Sequence, residues 1–130
     1  MVNLDHIILK INDLSASVDF SVNVMGFHLE GQREPFTVIR VNADFVLQLA
    51  PGGTSGDEHL AFSQPRQDFD TVFARLKARG LEFGDSFHSV GNNAGPGVEV
   101  GARGQAPTVY VYDPNKHLLE IRTYAEPAQG

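Results

Sequence analysis

Apolar and polar positions fall into short blocks along the chain, and the blocks recur. Leu4–Ile11 is mostly apolar, with His6 and Lys10 among its interruptions, which predicts a β-strand covered on much of both faces. Asp13 can cap a helix, because its short side-chain oxygen accepts from the free N–H groups of a first turn. Leu14, Val18, Val22 and Met25 follow in one apolar stripe, and Gly26 stands where a helix closes. The second half repeats this. Glu58–Ser63 reads as a strand, Gln67 and Asp68 lead into Phe69, Val72, Phe73 and Leu76 at helical spacing, and Gly80 closes. His6 precedes Gly26 by nearly the same distance as His59 precedes Gly80.

Strand-like runs come after each helix: Phe27–Gln32, Thr37–Asn42 and Phe45–Ala50, then Leu81–His88, Thr108–Tyr112 and His117–Tyr124. Each half is therefore expected to be β-α-β-β-β, an α+β arrangement of two modules at about 4–50 and about 57–124. Pro51–Gly56 links the halves, and Asp113–Lys116 is a turn. Ser89–Pro107 carries Gly91, Gly95, Gly97, Gly101 and Gly104 and is expected to be a long loop, serving as a lid or a dimer contact. The tail Glu126–Gly130 is expected to fray.

Composition narrows the chemistry. A chain of 130 residues with 42% apolar and 20% charged residues is one ordinary globular domain. Ten basic against sixteen acidic residues give a net charge of −6, which argues against gripping nucleic acid or an anionic membrane through bulk charge. With no cysteine, thiol catalysis, disulfide scaffolding and Cys-metal sites are excluded. No apolar run approaches the roughly 20 residues that span a bilayer. The opening stretch lacks the features of a leader, so a cytoplasmic protein is expected.

Four polar residues stand at related places in the two halves. His6 and His59 lie on the first strand of each half, and Gln48 and Glu120 on the last. Strand side chains alternate, so Leu119, Ile121 and Thr123 face one way and Leu118, Glu120 and Arg122 the other. The apolar helical stripes need one face of each sheet, which leaves the four polar residues on the opposite face. Two imidazoles and a carboxylate suit a divalent first-row metal, to which Gln48 adds a weak carbonyl ligand or a hydrogen bond to bound water. Taken singly, each is as readily a half-exposed strand histidine or a solvated strand-end carboxylate.

The chain resembles the vicinal oxygen chelate superfamily, which includes glyoxalase I, bleomycin-resistance proteins, fosfomycin-resistance transferases, methylmalonyl-CoA epimerase and extradiol dioxygenases. The resemblance runs from about Leu4 to Tyr124. It is carried by Leu4-Asp5-His6-Ile7-Ile8-Leu9, Asp19-Phe20 with Val24-Met25-Gly26-Phe27, Glu58-His59-Leu60-Ala61-Phe62, and Tyr112-Asp113-Pro114 through Leu119-Glu120-Ile121. It implies paired βαβββ modules forming an incomplete barrel around a metal. It also implies His6, His59 and Glu120 as ligands with Gln48 at the fourth position, and a homodimer.

The departures bear on the reaction. Gln48 stands where bacterial glyoxalase I carries an acid, and an amide cannot be a base. The ligand set looks like the epimerase pattern, but no basic cluster suits a coenzyme A phosphate. Tyr110 sits ten residues before Glu120, as in extradiol dioxygenases. Ser21 replaces a usual Tyr, and Asn115-Lys116-His117 the usual Asp-Gly-Asn turn.

A metal of iron, manganese, nickel, cobalt or zinc type, with Glu120 and three neutral ligands, carries net charge +1, which favours an anionic pair of vicinal oxygens. Glu120 and Tyr110 are the candidate catalytic groups. Tyr110 and Tyr112 share a strand face, where they orient a substrate or simply pack as amphipathic side chains. Arg122 pairs with an anionic substrate group or forms a rim salt bridge, and Arg103 closes over a ligand or is solvated. The Gly-rich loop lacks the Gly-Lys-Ser/Thr ending of a phosphate loop. His28, His88 and His117 read as surface or packing residues, and Met25 as core.

Three functions follow. One is a metal-dependent enzyme on a small substrate with vicinal oxygens, dioxygenase-like or isomerase/lyase-like. The second is a metal-dependent thiol transferase that modifies an antibiotic, for which Arg40, Arg103 and Arg122 are the available cations. The third is a non-catalytic drug- or ligand-binding protein of the bleomycin-resistance kind.

Overall fold

The computed structural model describes residues 1–124; the expectation for the tail lies outside them. Contacts divide the chain into two units. The first is Met1–Glu58 together with the turn Asp113–His117, and the second is His59–Tyr112 together with the last strand.

The first unit begins with β1 (His6–Lys10), whose Leu9 is buried, followed by buried Ile11. Asp13 caps α1 (Leu14–Asp19) as its composition predicts, its side chain accepting from the Ala16 N–H. The helix then widens into a π-helical turn, Phe20–Val24, before Gly26 at φ 80° closes it. Its buried face corrects the expected stripe. Leu14 is exposed, while Ser17, Phe20, Ser21, Val24 and Met25 are buried. Two serines are tolerated inside because both are satisfied. The Ser21 hydroxyl donates to Ser17 O, and Ser17 Oγ accepts from Asn115 Nδ2. β2 (His28–Arg33), β3 (Phe36–Asn42) and β4 (Phe45–Ala50) complete a sheet in the order β1-β4-β3-β2, with β1 and β4 parallel.

The second unit repeats the plan with β5 (His59–Ser63), α2 (Arg66–Ala78), the two-residue β6 (Phe83–Gly84), β7 (Gly97–Gly101), β8 (Gly104–Tyr112) and β9 (Leu118–Arg122). Helix α2 buries Phe69, Val72 and Leu76, and Gly80 at φ 65° follows it. β5 and β9 are parallel, and the sheet order is β5-β9-β8-β6. The long glycine-rich stretch is only partly a loop. Its second part is the hairpin β7–β8, turning at Ala102 and Arg103 between paired Gly101 and Gly104. Alternating Val98 and Val100 point outward, so the strand has no buried stripe to announce it in sequence.

The turn Asp113–His117 is a buried polar latch within the first unit. Asp113 Oδ1 accepts from the backbone N–H groups of Asn115 and His117. Asn115 Oδ1 accepts from the Asn12 N–H at 2.7 Å, and its Nδ2 donates to Ser17 Oγ and Asp113 Oδ2. His117, fully buried, donates from Nε2 to the Lys10 carbonyl, while its Nδ1 accepts from the Glu58 N–H. Its packing role agrees with the expectation, and the ring is removed from any surface.

Candidate functional site

The polar face of the second unit is set by strand register. β5 and β9 run in parallel with His59 opposite Leu118 and Ala61 opposite Glu120, so His59 and Glu120 are diagonal neighbours on one face. On the far side of β9, Tyr110 lies opposite Glu120, Tyr112 opposite Leu118 and Thr108 opposite Arg122. Leu119, Ile121, Val109 and Val111 fill the other, buried face. His59 Nε2 and Glu120 Oε1 converge to 2.6 Å, and the carboxylate as acceptor places the proton on Nε2. The Glu120 side chain is 7% exposed and that of His59 50%, so the pair opens to solvent on its imidazole side.

Glu120 has a second partner. Arg122 Nη1 donates to Oε2 at 3.1 Å, and the Arg122 side chain is 4% exposed. Sequence places Arg122 beside Glu120; the structure makes it a buried ion pair rather than a rim one. Tyr110 is buried, with its ring 6.3 Å from that of His59 and 6.4 Å from the exposed Phe87. Burial first, then the negative charges of Glu120 and Glu99, raise the Tyr110 pKa above its ordinary 10.0, with Arg122 opposing them. Tyr110 is accordingly a hydrogen-bond donor throughout the neutral range. Its ionisation is expected above the ordinary tyrosine value. A spectrophotometric alkaline titration of wild type against Tyr110→Phe checks this: the lost absorbance step is the one above about pH 10. Folding favours the protonated phenol, so its contribution to stability is held below that pH and lost above it.

Tyr112 is exposed on the row of Leu118 and His59. Arg103 lies in the hairpin turn, its guanidinium 4.0 Å from the Tyr124 ring and its N–H donating to the Tyr124 hydroxyl. Exposed Phe87 lies against His88, with ring centroids 3.7 Å apart and the planes tilted by 41°. Phe87 carries no sequence signal, because its contact with Tyr110 comes from loop geometry.

The first unit repeats the register. His6 lies opposite Val46 and Ile8 opposite Gln48, so His6 and Gln48 are diagonal neighbours as His59 and Glu120 are. Asp5 Oδ2 accepts from His6 Nδ1 at 2.7 Å, which leaves Nε2 with the free lone pair. Gln48 is half-buried and lines a cavity of about 410 Å³ on the same face as His6, together with Val38, Val46, Glu30, Arg33 and Arg40. Arg40 is not a free cation there. It grips Glu30 through Nε at 2.6 Å and Nη2 at 3.1 Å. That hydrogen-bonded pair lowers the Glu30 pKa and raises that of Arg40.

Each unit thus presents two donor groups: imidazole and carboxylate in the second, imidazole and amide in the first. Their chemistry fits a divalent metal, since all are N or O ligands available in neutral or anionic form. Among the described residues, no three His, Cys, Asp or Glu side chains form a single metal-holding group. No helix among them is long and apolar enough to cross a membrane.

Two βαβββ-type modules with register-matched polar pairs define an α+β fold of the glyoxalase type. The chain belongs to the Glyoxalase/Bleomycin resistance protein/Dioxygenase superfamily, whose model matches residues 3–121. Among solved structures, it is similar to "Oxidase ChaP-H1" (29% identity, TM-score 0.79, covering 100% of this chain and 100% of that one). It is likewise similar to "Oxidase ChaP-H2" (27% identity, TM-score 0.79, 99% and 98% covered). A possible glyoxalase from Bacillus cereus matches at 25% identity with a TM-score of 0.65, covering 94% and 99%.

Proposed function

We propose that the protein is a divalent-metal-dependent enzyme that acts on a small substrate with vicinal oxygens, by oxygen-dependent chemistry of the dioxygenase kind. The carrying observation is the buried Glu120 carboxylate held against His59 on the open polar face, with His6 and Gln48 at the matching register of the first module. His6, Gln48, His59 and Glu120 are the residues that hold the metal. Similarity to two proteins named oxidases favours the oxidative reading over isomerisation. Gln48 favours it too, because an amide cannot take a substrate proton as an acidic fourth ligand does.

The metal supplies Lewis acidity toward adjacent substrate oxygens, favouring their anionic form. Around it, each residue has a stated task. Asp5 keeps His6 in the tautomer with a free Nε2. Tyr110, held protonated, donates a hydrogen bond to a substrate oxygen from the strand position opposite Glu120. Tyr112 and Arg103 border the ligand, Tyr112 through its exposed phenol on the His59 row. The functional unit is a homodimer, and light scattering is expected to give twice the chain mass of 14.2 kDa.

Iron-loaded protein is expected to consume oxygen when mixed with simple catechols, and Tyr110→Phe, which removes one hydrogen-bond donor to a substrate oxygen, to lower that rate by roughly 100- to 1,000-fold. Metal-loaded protein that takes up no oxygen but converts hemithioacetals would replace this reading with isomerase chemistry.

A further inference from the structure

Arg122 is the buried cation of the second module. Arg122 lies under the hairpin β7–β8, where β8 extends past the end of β9 and its first residues pair only with β7. Its Nη2 donates to the Glu99 carbonyl at 2.6 Å and to the Gly104 carbonyl at 3.4 Å, one from each hairpin strand. Its guanidinium lies 5.1 Å from the Tyr124 ring, to which Arg103 of the hairpin turn is also bound. Space for it exists because residue 101 is glycine: a Cβ there would collide with Nη1, Cζ and Nε of Arg122. Nε is buried with no hydrogen-bond partner.

Stability is a weak reason for this design, although the hydrogen bonds to Glu99 and Gly104 tie the hairpin down. Buried ion pairs are commonly no better than apolar replacements, and an orphaned donor makes this one worse. What it does achieve is asymmetry at Glu120. Oε2 is taken by Arg122 Nη1, while Oε1 meets His59. We propose that Arg122 is a positioning residue for Glu120. Seated by the hairpin in the space Gly101 leaves open, it occupies one carboxylate oxygen and makes the other the single donor offered to a ligand. The inference rests on the metal-binding reading above.

Two readings of Arg122→Met test it. In metal-free protein, losing Arg122 releases the carboxylate, so the ¹⁵N resonance of His59 Nε2 is expected to move toward that of a water-exposed imidazole. In cobalt(II)-loaded protein, both Glu120 oxygens become free to bind, so coordination number rises and the visible absorption falls by roughly half or more. Gly101→Ala, which displaces the guanidinium without removing it, is expected to shift both readouts in the same direction. Arg122→Lys, keeping the charge but one donor point instead of the fork, is expected to restore them in part. These two milder variants keep the test open should Arg122→Met not fold. A purely structural arginine would lower Tm yet leave the His59 resonance and the cobalt spectrum of the folded protein at wild-type values, which overturns the proposal. Wild-type protein that binds no cobalt overturns the metal reading instead, and the His59 resonance still decides whether Arg122 positions Glu120.

Discussion

Glu120→Gln protein is expected to bind divalent metal at least about 100-fold more weakly than wild type, since loss of mere outer partners already costs about 10- to 100-fold. Glutamine keeps the volume and one carbonyl oxygen but removes the only negative charge on this polar face's ligand pair. Competition against a chromophoric chelator reads the change directly. The substitution also strips Arg122 of its buried counter-charge, and an uncompensated charge of this kind costs about 3–5 kcal/mol. Affinity must therefore be measured well below the lowered Tm. His59→Ala, which leaves the Glu120–Arg122 pair intact, is expected to weaken metal binding with a much smaller loss of stability. If Glu120→Gln binds metal as tightly as wild type, Glu120 is not a ligand.

The second large effect is on folding. Asn115→Ala removes a buried side chain that accepts from the Asn12 N–H at the edge of the first unit and donates to both Ser17 Oγ and Asp113 Oδ2 in its interior. Leaving a buried polar group without its partner costs about 1–3 kcal/mol, and Ser17 Oγ and Asp113 Oδ2, both on buried residues, each lose one. The expected loss is therefore about 2–4 kcal/mol. For a domain of this size that lowers Tm by roughly 10 °C, at about 3–5 °C per kcal/mol. Calorimetry checks it, and a shift under about 3 °C would show that water replaces the amide at little cost. Because these contacts lie in the turn preceding β9, some loss of metal affinity is expected through misplacement of that strand.

The parts legible in sequence share one property: they rest on local period or on repetition. β4 has the same bounds, Phe45–Ala50, whether taken from alternation or from hydrogen bonding. Helix α2 shows three of its four spaced apolar residues buried. The matched positions of His6 and His59, and of Gln48 and Glu120, follow from repetition, and both diagonals are present in the strand registers. What escaped depends on partners distant in the chain. The first helix turns Ser17 and Ser21 inward because Asn115, far along the sequence, satisfies the polar interior there. The hairpin β7–β8 is hidden by glycines that punctuate like a loop, although Gly101 is needed for the Arg122 guanidinium. Lys116 at φ 68° shows how far the latch overrides local preference.

Metal binding by these four residues is tested by elemental analysis of protein purified without added metal, beside a His6→Ala, Glu120→Ala double variant. Wild type is expected to hold close to one equivalent of a first-row divalent metal per chain and the variant essentially none, after correction for folded fraction. Equal metal content in the two proteins, or none in wild type even after reconstitution, would contradict it.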